Sequence, residues 1–88
     1  MQEMPDTLSI ARLKWACRRG MLELDILLEN FLNEAYSSLS AEDKEHFAAL
    51  LATPDPELFS FLMGKEVPAD INLAHMVEVI RHHAKSRI

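Results

Sequence analysis

Residues 21–36, MLELDILLENFLNEAY, carry the strongest fold signal in this amino-acid sequence. Apolar residues recur there every three or four positions, as they do along one face of an α-helix. Glu23 and Asp25 fall in the first turn, where the positive end of a helix favours acids. The pattern predicts an amphipathic helix with these inward positions: Met21, Leu24, Leu28, Phe31 and Ala35, with Leu27 and Leu32 widening the stripe.

The residues before this helix predict another helix that ends near a glycine. Asp6 or Thr7 can cap a helix that runs to about residue 17. Gly20 supplies the left-handed residue that lets this helix stop. Arg18 and Arg19 then lie at its carboxyl end, where the helix dipole favours cations. Its predicted buried stripe is Leu8, Ala11 and Trp15, with Ile10 and Leu13 beside it.

Two helices are predicted in the middle of the chain. The segment SAED at 40–43 has the pattern of a capping box and opens a helix whose inward positions are Phe47, Leu50 and Leu51. The segment TPDP at 53–56 ends it, and a fourth helix follows with Asp55 as N-cap and Pro56 at the first helical position. This fourth helix ends at Gly64 and is apolar almost all round. It is therefore either plugged into the bundle or partly an exposed patch.

A fifth helix completes the predicted fold. Asp70 is its expected cap, and its apolar stripe is Leu73, Met76, Val77 and Ile80. With 49% hydrophobic residues and only two glycines among 88 residues, the chain is too apolar for disorder. One cysteine excludes an internal disulfide. The sequence predicts an all-α fold, a compact five-helix bundle in a single domain over 1–88, with an ordered core at about 7–84.

Charge is strongly segregated along the chain, although the net charge is only −5. Residues 22–57 contain nine acids against Lys44 alone. The basic cluster at 7–19 contains no acid and consists of Arg12, Lys14, Arg18 and Arg19. Because nucleic-acid binding needs a broad positive surface, this balance argues against it and suits a protein partner.

The sequence also predicts where the protein resides. No segment reaches the roughly 18 consecutive apolar residues that a membrane-spanning helix needs, so no direct membrane insertion is expected. The acidic start, MQEMPD at 1–6, lacks the features of a secretory signal or an organelle transit peptide. We therefore expect a cytoplasmic protein, with Cys17 kept reduced.

The segment WACRRGMLELD at 15–25 is the candidate functional site. It joins the basic cluster to the first acidic turn through Gly20, and a glycine lets a partner's backbone approach closely. Ordinary roles are also open for the same residues. Gly20 can be a helix C-cap, Glu23 can balance the helix dipole, and the two arginines can be solubilising.

The same segment resembles the succinate dehydrogenase assembly factor family, whose members promote covalent attachment of FAD to the flavoprotein subunit. The family hallmark, Arg-Gly-x-x-Glu, stands here at 19–23 and is extended by Asp25. Trp15, Cys17 and Arg18 match the Trp-x-Cys-Arg that precedes it in the bacterial branch. The resemblance covers residues 7–84, with further matching blocks at 36–40, 50–51, 55–59, 62–63 and 68–70.

This resemblance implies a five-helix bundle and a role that is not enzymatic. Such a factor binds the apo flavoprotein subunit of succinate dehydrogenase beside the histidine destined for attachment, and the family is similarly linked to fumarate reductase. Flavinylation itself is then self-catalysed by the flavoprotein, and no cofactor is bound stably by the factor. An alternative is an antitoxin that neutralises a membrane- or cytoskeleton-targeting toxin, since some bacterial members have been described so.

The resemblance, together with the residue types, gives a set of partner-binding residues. Gly20 permits close approach, Glu23 pairs within the partner site, and the two arginines steer and anchor it. Met21 and Asp25 belong to the set, although Met21 also suits the core and Asp25 also suits helix capping. The full predicted set is Arg18, Arg19, Gly20, Met21, Glu23 and Asp25.

Other chemistry has weak support in the sequence. Trp15 is expected in the core because it shares a stripe with Leu8, and Cys17 is expected to be an inert core residue. His75, His82 and His83 lie on one predicted helix without a matching acid or cysteine, so no metal site is predicted. No catalytic residues are predicted either, and a flavin-binding enzyme is disfavoured because the chain has no dinucleotide fingerprint.

Overall fold

A computed structural model describes the backbone of residues 6–86 and the side chains of residues 10–86. Within this range the chain forms five α-helices and no strand, which confirms the predicted fold class. A short 3-10 helix at Tyr36–Ser38 follows the second α-helix, where two serines interrupt the apolar pattern. The α-helices are α1 (Asp6–Ala16), α2 (Leu22–Glu34), α3 (Ala41–Leu50), α4 (Asp55–Leu62) and α5 (Ile71–Ser86).

The core lies where α2, α3 and α5 meet. The predicted stripe of α2 is confirmed, because Leu24, Leu28 and Phe31 are fully or almost fully buried. Phe31 packs against Phe47 of α3 with ring centroids 5.4 Å apart. Burial of side chains this large stabilises the fold by about 1.5–3 kcal/mol each. The predicted stripes of α3 and α5 are also inward, with Phe47, Leu50, Leu51, Met76, Val77 and Ile80 buried and Leu73 packed against the core.

The face that α1 turns toward the core differs from the predicted one. Trp15 is 74% exposed and Ala11 is also exposed, so their placement in the core was wrong. Leu13, Ala16 and Cys17 face inward instead. The sequence of α1 has apolar residues on both of these faces, so its spacing could not decide the rotation of the helix. The predicted contact of Leu8 and the predicted caps at Asp6 or Thr7 lie outside the described side chains.

The predicted caps of α3 and α5 are confirmed, whereas that of α4 is displaced by one residue. Ser40 Oγ accepts from the backbone N–H of Asp43 at 3.1 Å, and Asp70 Oδ1 accepts from that of Asn72 at 2.8 Å. The N-cap of α4 is Pro54 rather than Asp55, and no side chain bonds the free amides there. The carboxylate of Asp55 is instead occupied by an arginine from the α1–α2 loop.

Helix α4 packs into the bundle by one side and leaves part of its apolar surface half-buried, so each of the two alternatives left by its sequence holds in part. Leu58 and Leu62 are buried, and Phe59, Phe61 and Met63 pack against the core. The helix ends in a Schellman motif: Gly64 is left-handed with φ +80°, and the N–H of Lys65 donates to Ser60 O at 2.8 Å. Within residues 6–86, every helix falls short of the length and apolarity that crossing a bilayer requires.

Candidate functional site

The loop between α1 and α2 is held in shape by Asp25. After α1 ends at Ala16, the chain crosses to α2 in an irregular segment that includes Arg19 and Gly20. Asp25 Oδ1 accepts from the backbone N–H of Arg19 at 2.7 Å, and Oδ2 accepts from that of Gly20 at 3.0 Å. One half-buried carboxylate thus satisfies two consecutive loop amides from the first turn of α2. The loop conformation therefore depends on Asp25, whatever else this residue contacts.

Arg19 turns its guanidinium into the protein rather than toward solvent. Its side chain is 13% exposed. Nε donates to Ala16 O at 2.7 Å, and Nη1 donates to Thr53 O at 3.1 Å and to Asp55 Oδ1 at 2.8 Å. Nη2 donates to Leu51 O. Three of these bonds join the α1–α2 loop to the α3–α4 loop, and the bond to Ala16 holds Arg19 against the end of α1. We call the four together the Arg19 latch.

The Arg19 latch places a positive charge where two helices end. Ala16 is the last residue of α1, and Leu51 is the C-cap of α3. Carbonyl groups at such ends lack helical partners and carry partial negative charge, so a partly buried cation that donates to both is favourable. The role of Arg19 in anchoring a partner stays a prediction. In this structure its guanidinium is occupied by groups of the same chain.

Three of the predicted site residues lie on the outside of the same corner. Arg18, Gly20 and Glu23 are exposed, while Met21 is half-buried and packs against the core. The Arg18 guanidinium carbon lies 5.8 Å from the ring centroid of exposed Trp15, which is within cation–π range. The corner therefore presents a cation on a tryptophan, a glycine and a carboxylate to solvent.

Gly20 has the geometry that only a residue tolerant of positive φ adopts easily. Its φ is +79°, and an added Cβ would meet no atom of the described residues within 4 Å. A positive φ favours glycine, or a residue such as asparagine, because the Cβ of other residues is crowded by the backbone in this conformation. Because an added Cβ meets no described atom, the space above Gly20 is open, and the packing of the fold does not exclude a side chain there.

Glu23 borders an apolar groove that its place in the sequence does not reveal. The groove runs between α2 and α5, beside the end of α4, and has a volume of about 360 Å³. Its walls are Glu23, Ile26, Leu27, Asn30, Met63, His83 and Ala84. Among residues 10–86, Glu23 makes no ion pair (the acids that do are Asp43, Asp55, Glu34 and Glu78). Its carboxylate is therefore available at the edge of an apolar surface.

Cys17 is a buried thiol, as its position in the sequence suggested. It is 2% exposed and forms no disulfide. Burial raises the pKa of the Cys17 thiol from 9.0 to about 11, and the nearby Arg19 charge opposes this rise only in part. The nucleophilic thiolate is thus a very small fraction of the thiol at neutral pH.

A thiol-reactivity measurement checks this burial. At pH 8 we expect the folded chain to react with a disulfide reagent at least about 100-fold more slowly than the urea-unfolded chain, because a pKa rise of about two removes that much thiolate. A Cys17→Ser chain supplies the blank. Equal rates in the folded and unfolded chains would contradict the buried position of this thiol.

The histidines of α5 do not converge on a metal site in the described part of the chain, where no three ligating side chains lie together. His83 Nε2 instead lies 3.1 Å from Glu34 Oε1. The His83 ring also meets Phe31 edge to face at 5.4 Å. His83 therefore belongs to the packing between α2 and α5.

Comparison with known proteins places the whole bundle in one family. The model of a family described as flavinator of succinate dehydrogenase matches residues 11–84. The FAD assembly factor SdhE of Shewanella oneidensis is 52% identical over 79 residues, 90% of this chain and 96% of its own length. That of Colwellia psychrerythraea is 55% identical over 75 residues, 85% of this chain and 82% of its own. This chain belongs to the succinate dehydrogenase flavinator family.

A solved structure of similar sequence has the same fold as this chain. The solution structure of a UPF0350 protein is 43% identical and superposes with a TM-score of 0.78, covering 96% of this chain and 89% of the other. The relatives are named as assembly factors and not as enzymes. The suspected family resemblance is thereby confirmed.

The structure divides the Arg-Gly-x-x-Glu motif at 19–23 into an inner and an outer part. Arg19 is turned inward, whereas Gly20 and Glu23 face solvent. Three of the four acceptors of the Arg19 latch lie 32 to 36 residues further along the chain, so no local spacing could have revealed them. The groove beside Glu23 did leave one signal, since Ile26 is an apolar residue outside the buried stripe of α2.

Proposed function

We propose that this chain binds the apo flavoprotein subunit of succinate dehydrogenase, and the related subunit of fumarate reductase, and promotes covalent attachment of FAD to a histidine of that subunit. Family membership supports the process, and the exposed side of the α1–α2 corner supports the mode of action. In this proposal the flavoprotein holds FAD and performs the bond-making step. The chain acts as a chaperone of that step and not as an enzyme.

Selective binding is sufficient for this role. Attachment requires the imidazole, the flavin methyl group and the groups that stabilise the reduced flavin to be aligned at the same time. A partner that binds the aligned state preferentially raises its population. A shift from 10% to 90% aligned needs a preference of about 80-fold, which is roughly 2.6 kcal/mol. A few well-placed contacts supply that much.

The exposed groups of the corner can provide such contacts. Glu23 offers a carboxylate without an ion-pair partner among the described residues. Arg18 offers an exposed guanidinium within cation–π range of Trp15, and this contact reduces the side-chain freedom that is lost when it binds. Gly20 offers open space beside two loop amides that are held by Asp25. Because the Arg19 latch and Asp25 hold the loop, the surface is organised before the partner arrives.

The process is tested in cells that lack the gene. We expect the succinate dehydrogenase flavoprotein to lose its covalent flavin, scored as in-gel fluorescence under ultraviolet light, and to regain it when this chain is supplied. Unchanged fluorescence after deletion would overturn the proposed function and would favour the antitoxin alternative.

Glu23→Ala tests the assigned site in the same assay. We expect this variant to restore less than a tenth of the wild-type fluorescence while the domain keeps its helical content. Glu42→Ala is a matched control, because Glu42 is an exposed acid at the second position of α3, as Glu23 is at the second position of α2. Both changes remove a similar helix-dipole interaction. Full activity of Glu23→Ala, or equal loss in both variants, would contradict the site.

A further inference from the structure

The groove beside Glu23 continues into a second hollow. The two share Leu27, Met63 and Ala84 as walls, and the second, of about 260 Å³, is otherwise lined by Leu62, Arg81 and Lys85. Together they form one trough between α2 and α5, which we call the α2–α5 trough. Its floor is apolar, and Ile26 at its edge is 49% exposed.

Apart from His83, whose Nε2 faces Glu34, the charged groups of the α2–α5 trough are separated by sign. Glu23 borders only the first hollow, whereas Arg81 and Lys85 border only the second. Among the described residues, Arg81 is paired with Glu78 at 3.8 Å, and because Glu78 is 71% exposed this pairing is weak. The trough therefore has an acidic end and a basic end on either side of an apolar floor.

We propose that the α2–α5 trough docks a segment of the flavoprotein that presents an apolar side chain between a cationic and an anionic residue. The cation lies toward Glu23, and the anion lies toward Arg81 and Lys85. This inference rests on the proposed function and extends it. It adds a second surface to the motif corner and states the chemistry of the partner segment.

Two observations select the flavoprotein as the occupant. Glu23 belongs both to the exposed corner and to the wall of the trough, so a partner that engages the corner through Glu23 reaches the trough directly. The separated charges also complement a polar chain segment and set its direction, whereas a purely apolar ligand leaves them unused. A trough of this kind confers direction as well as affinity on the complex.

The apolar floor is tested by a matched pair of substitutions. Ile26→Ser removes an exposed isoleucine from the trough. Ile71→Ser is the control, because Ile71 is also exposed (79%) but lies at the start of α5, outside the trough. Binding is measured by interferometry against the flavoprotein subunit with its attachment histidine replaced, so that no covalent step intervenes. We expect Ile26→Ser to raise Kd at least tenfold and Ile71→Ser to change it less than twofold, with both proteins unfolding near the wild-type temperature.

A second pair of substitutions tests the charge pattern, and it does so even if Ile26→Ser fails to fold. Lys85→Glu reverses a cation at the basic end, and Lys44→Glu makes the same change in net charge on α3. We expect Lys85→Glu to raise Kd at least fivefold and to weaken its salt dependence, and Lys44→Glu to leave both nearly unchanged. Equal effects within either pair would overturn the proposal.

The outcomes also separate this inference from the proposed function. Wild-type chain that neither binds the flavoprotein nor restores its flavin overturns both. The trough alone is overturned if the wild-type chain binds the flavoprotein and restores its flavin, while Ile26→Ser changes Kd no more than Ile71→Ser does. If Ile26→Ser instead changes only FAD binding by the isolated chain, or only its self-association in sedimentation, the occupant is a flavin or a second copy and the proposal is wrong.

Discussion

Replacing Arg19 by alanine is expected to lower the free energy of unfolding by about 3 kcal/mol, since hydrogen bonds to a charged group contribute about 1.5–3 kcal/mol and carbonyls left without partners add a cost. The ion pair with Asp55 adds little, because that carboxylate is 43% exposed and water replaces the guanidinium. The larger loss falls at the carbonyls of Ala16, Leu51 and Thr53.

Thermal unfolding followed by circular dichroism measures this loss. At about 4–8 °C per kcal/mol for a domain of this size, Tm should fall by about 12–24 °C. Arg18→Ala is the matched control, because the neighbouring arginine is exposed and loses only its stack on Trp15. We expect Arg18→Ala to change Tm by less than about 4 °C, which corresponds to under 1 kcal/mol. A Tm for Arg19→Ala within that same interval would contradict the latch.

The same two variants separate a structural from a binding role. Arg19→Ala should lose flavinylation together with stability, and lowering the temperature should recover part of the activity as the fold recovers. Arg18→Ala should bind the flavoprotein more weakly at an unchanged Tm. If Arg19→Ala stayed inactive at a temperature where it is fully folded, Arg19 would also contact the partner, as the sequence predicts.

Gly20→Arg is expected to abolish flavinylation while the domain stays folded. An added Cβ meets no described atom within 4 Å, so the cost to the fold is the strain of a positive φ, about 1–2 kcal/mol. That cost lowers Tm by roughly 4–16 °C and leaves a domain of ordinary stability folded at growth temperature. A side chain above the open loop would instead keep the partner's backbone away from Gly20.

Gly20→Asn distinguishes strain from obstruction, since asparagine tolerates a left-handed backbone better than other side chains do. We expect Gly20→Asn to unfold close to the wild-type temperature and yet to flavinylate less well, with activity decreasing from glycine to asparagine to arginine. The measurement is ultraviolet in-gel fluorescence at equal protein levels, beside circular dichroism. Full activity of Gly20→Arg would show that no partner approaches this loop closely.

Much of the fold was predictable because its signals are local. The apolar spacing of α2 identified Leu24, Leu28 and Phe31 as core residues, and both the helix and their burial are confirmed. Ser40 and Asp70 were predictable as caps for the same reason, since a cap bonds amides two or three residues away. The family motif was also local, so membership of the family followed from residues 15–25 and the matching blocks downstream.

The errors arose where a choice depended on distant residues. Helix α1 has apolar side chains on two faces, and the face that packs on the core carries Leu13 and Ala16, with Cys17 just beyond the end of the helix. Trp15 is consequently exposed and stacks with Arg18. Asp55 fits the sequence pattern of an N-cap, but its carboxylate pairs with Arg19 from the other loop.

The sequence by itself determined the five helices, most of the core and the family, because periodicity, caps and motif all act over a few residues. Only the tertiary structure decided which residues of the Arg-Gly-x-x-Glu motif point into the protein and which face solvent. It turned Arg19 inward onto two helix ends, left Gly20 and Glu23 outside, and joined Glu23 to the α2–α5 trough. The physical reason is that a guanidinium binds wherever carbonyls and a carboxylate converge, and that convergence exists only after α1 and α3 have packed.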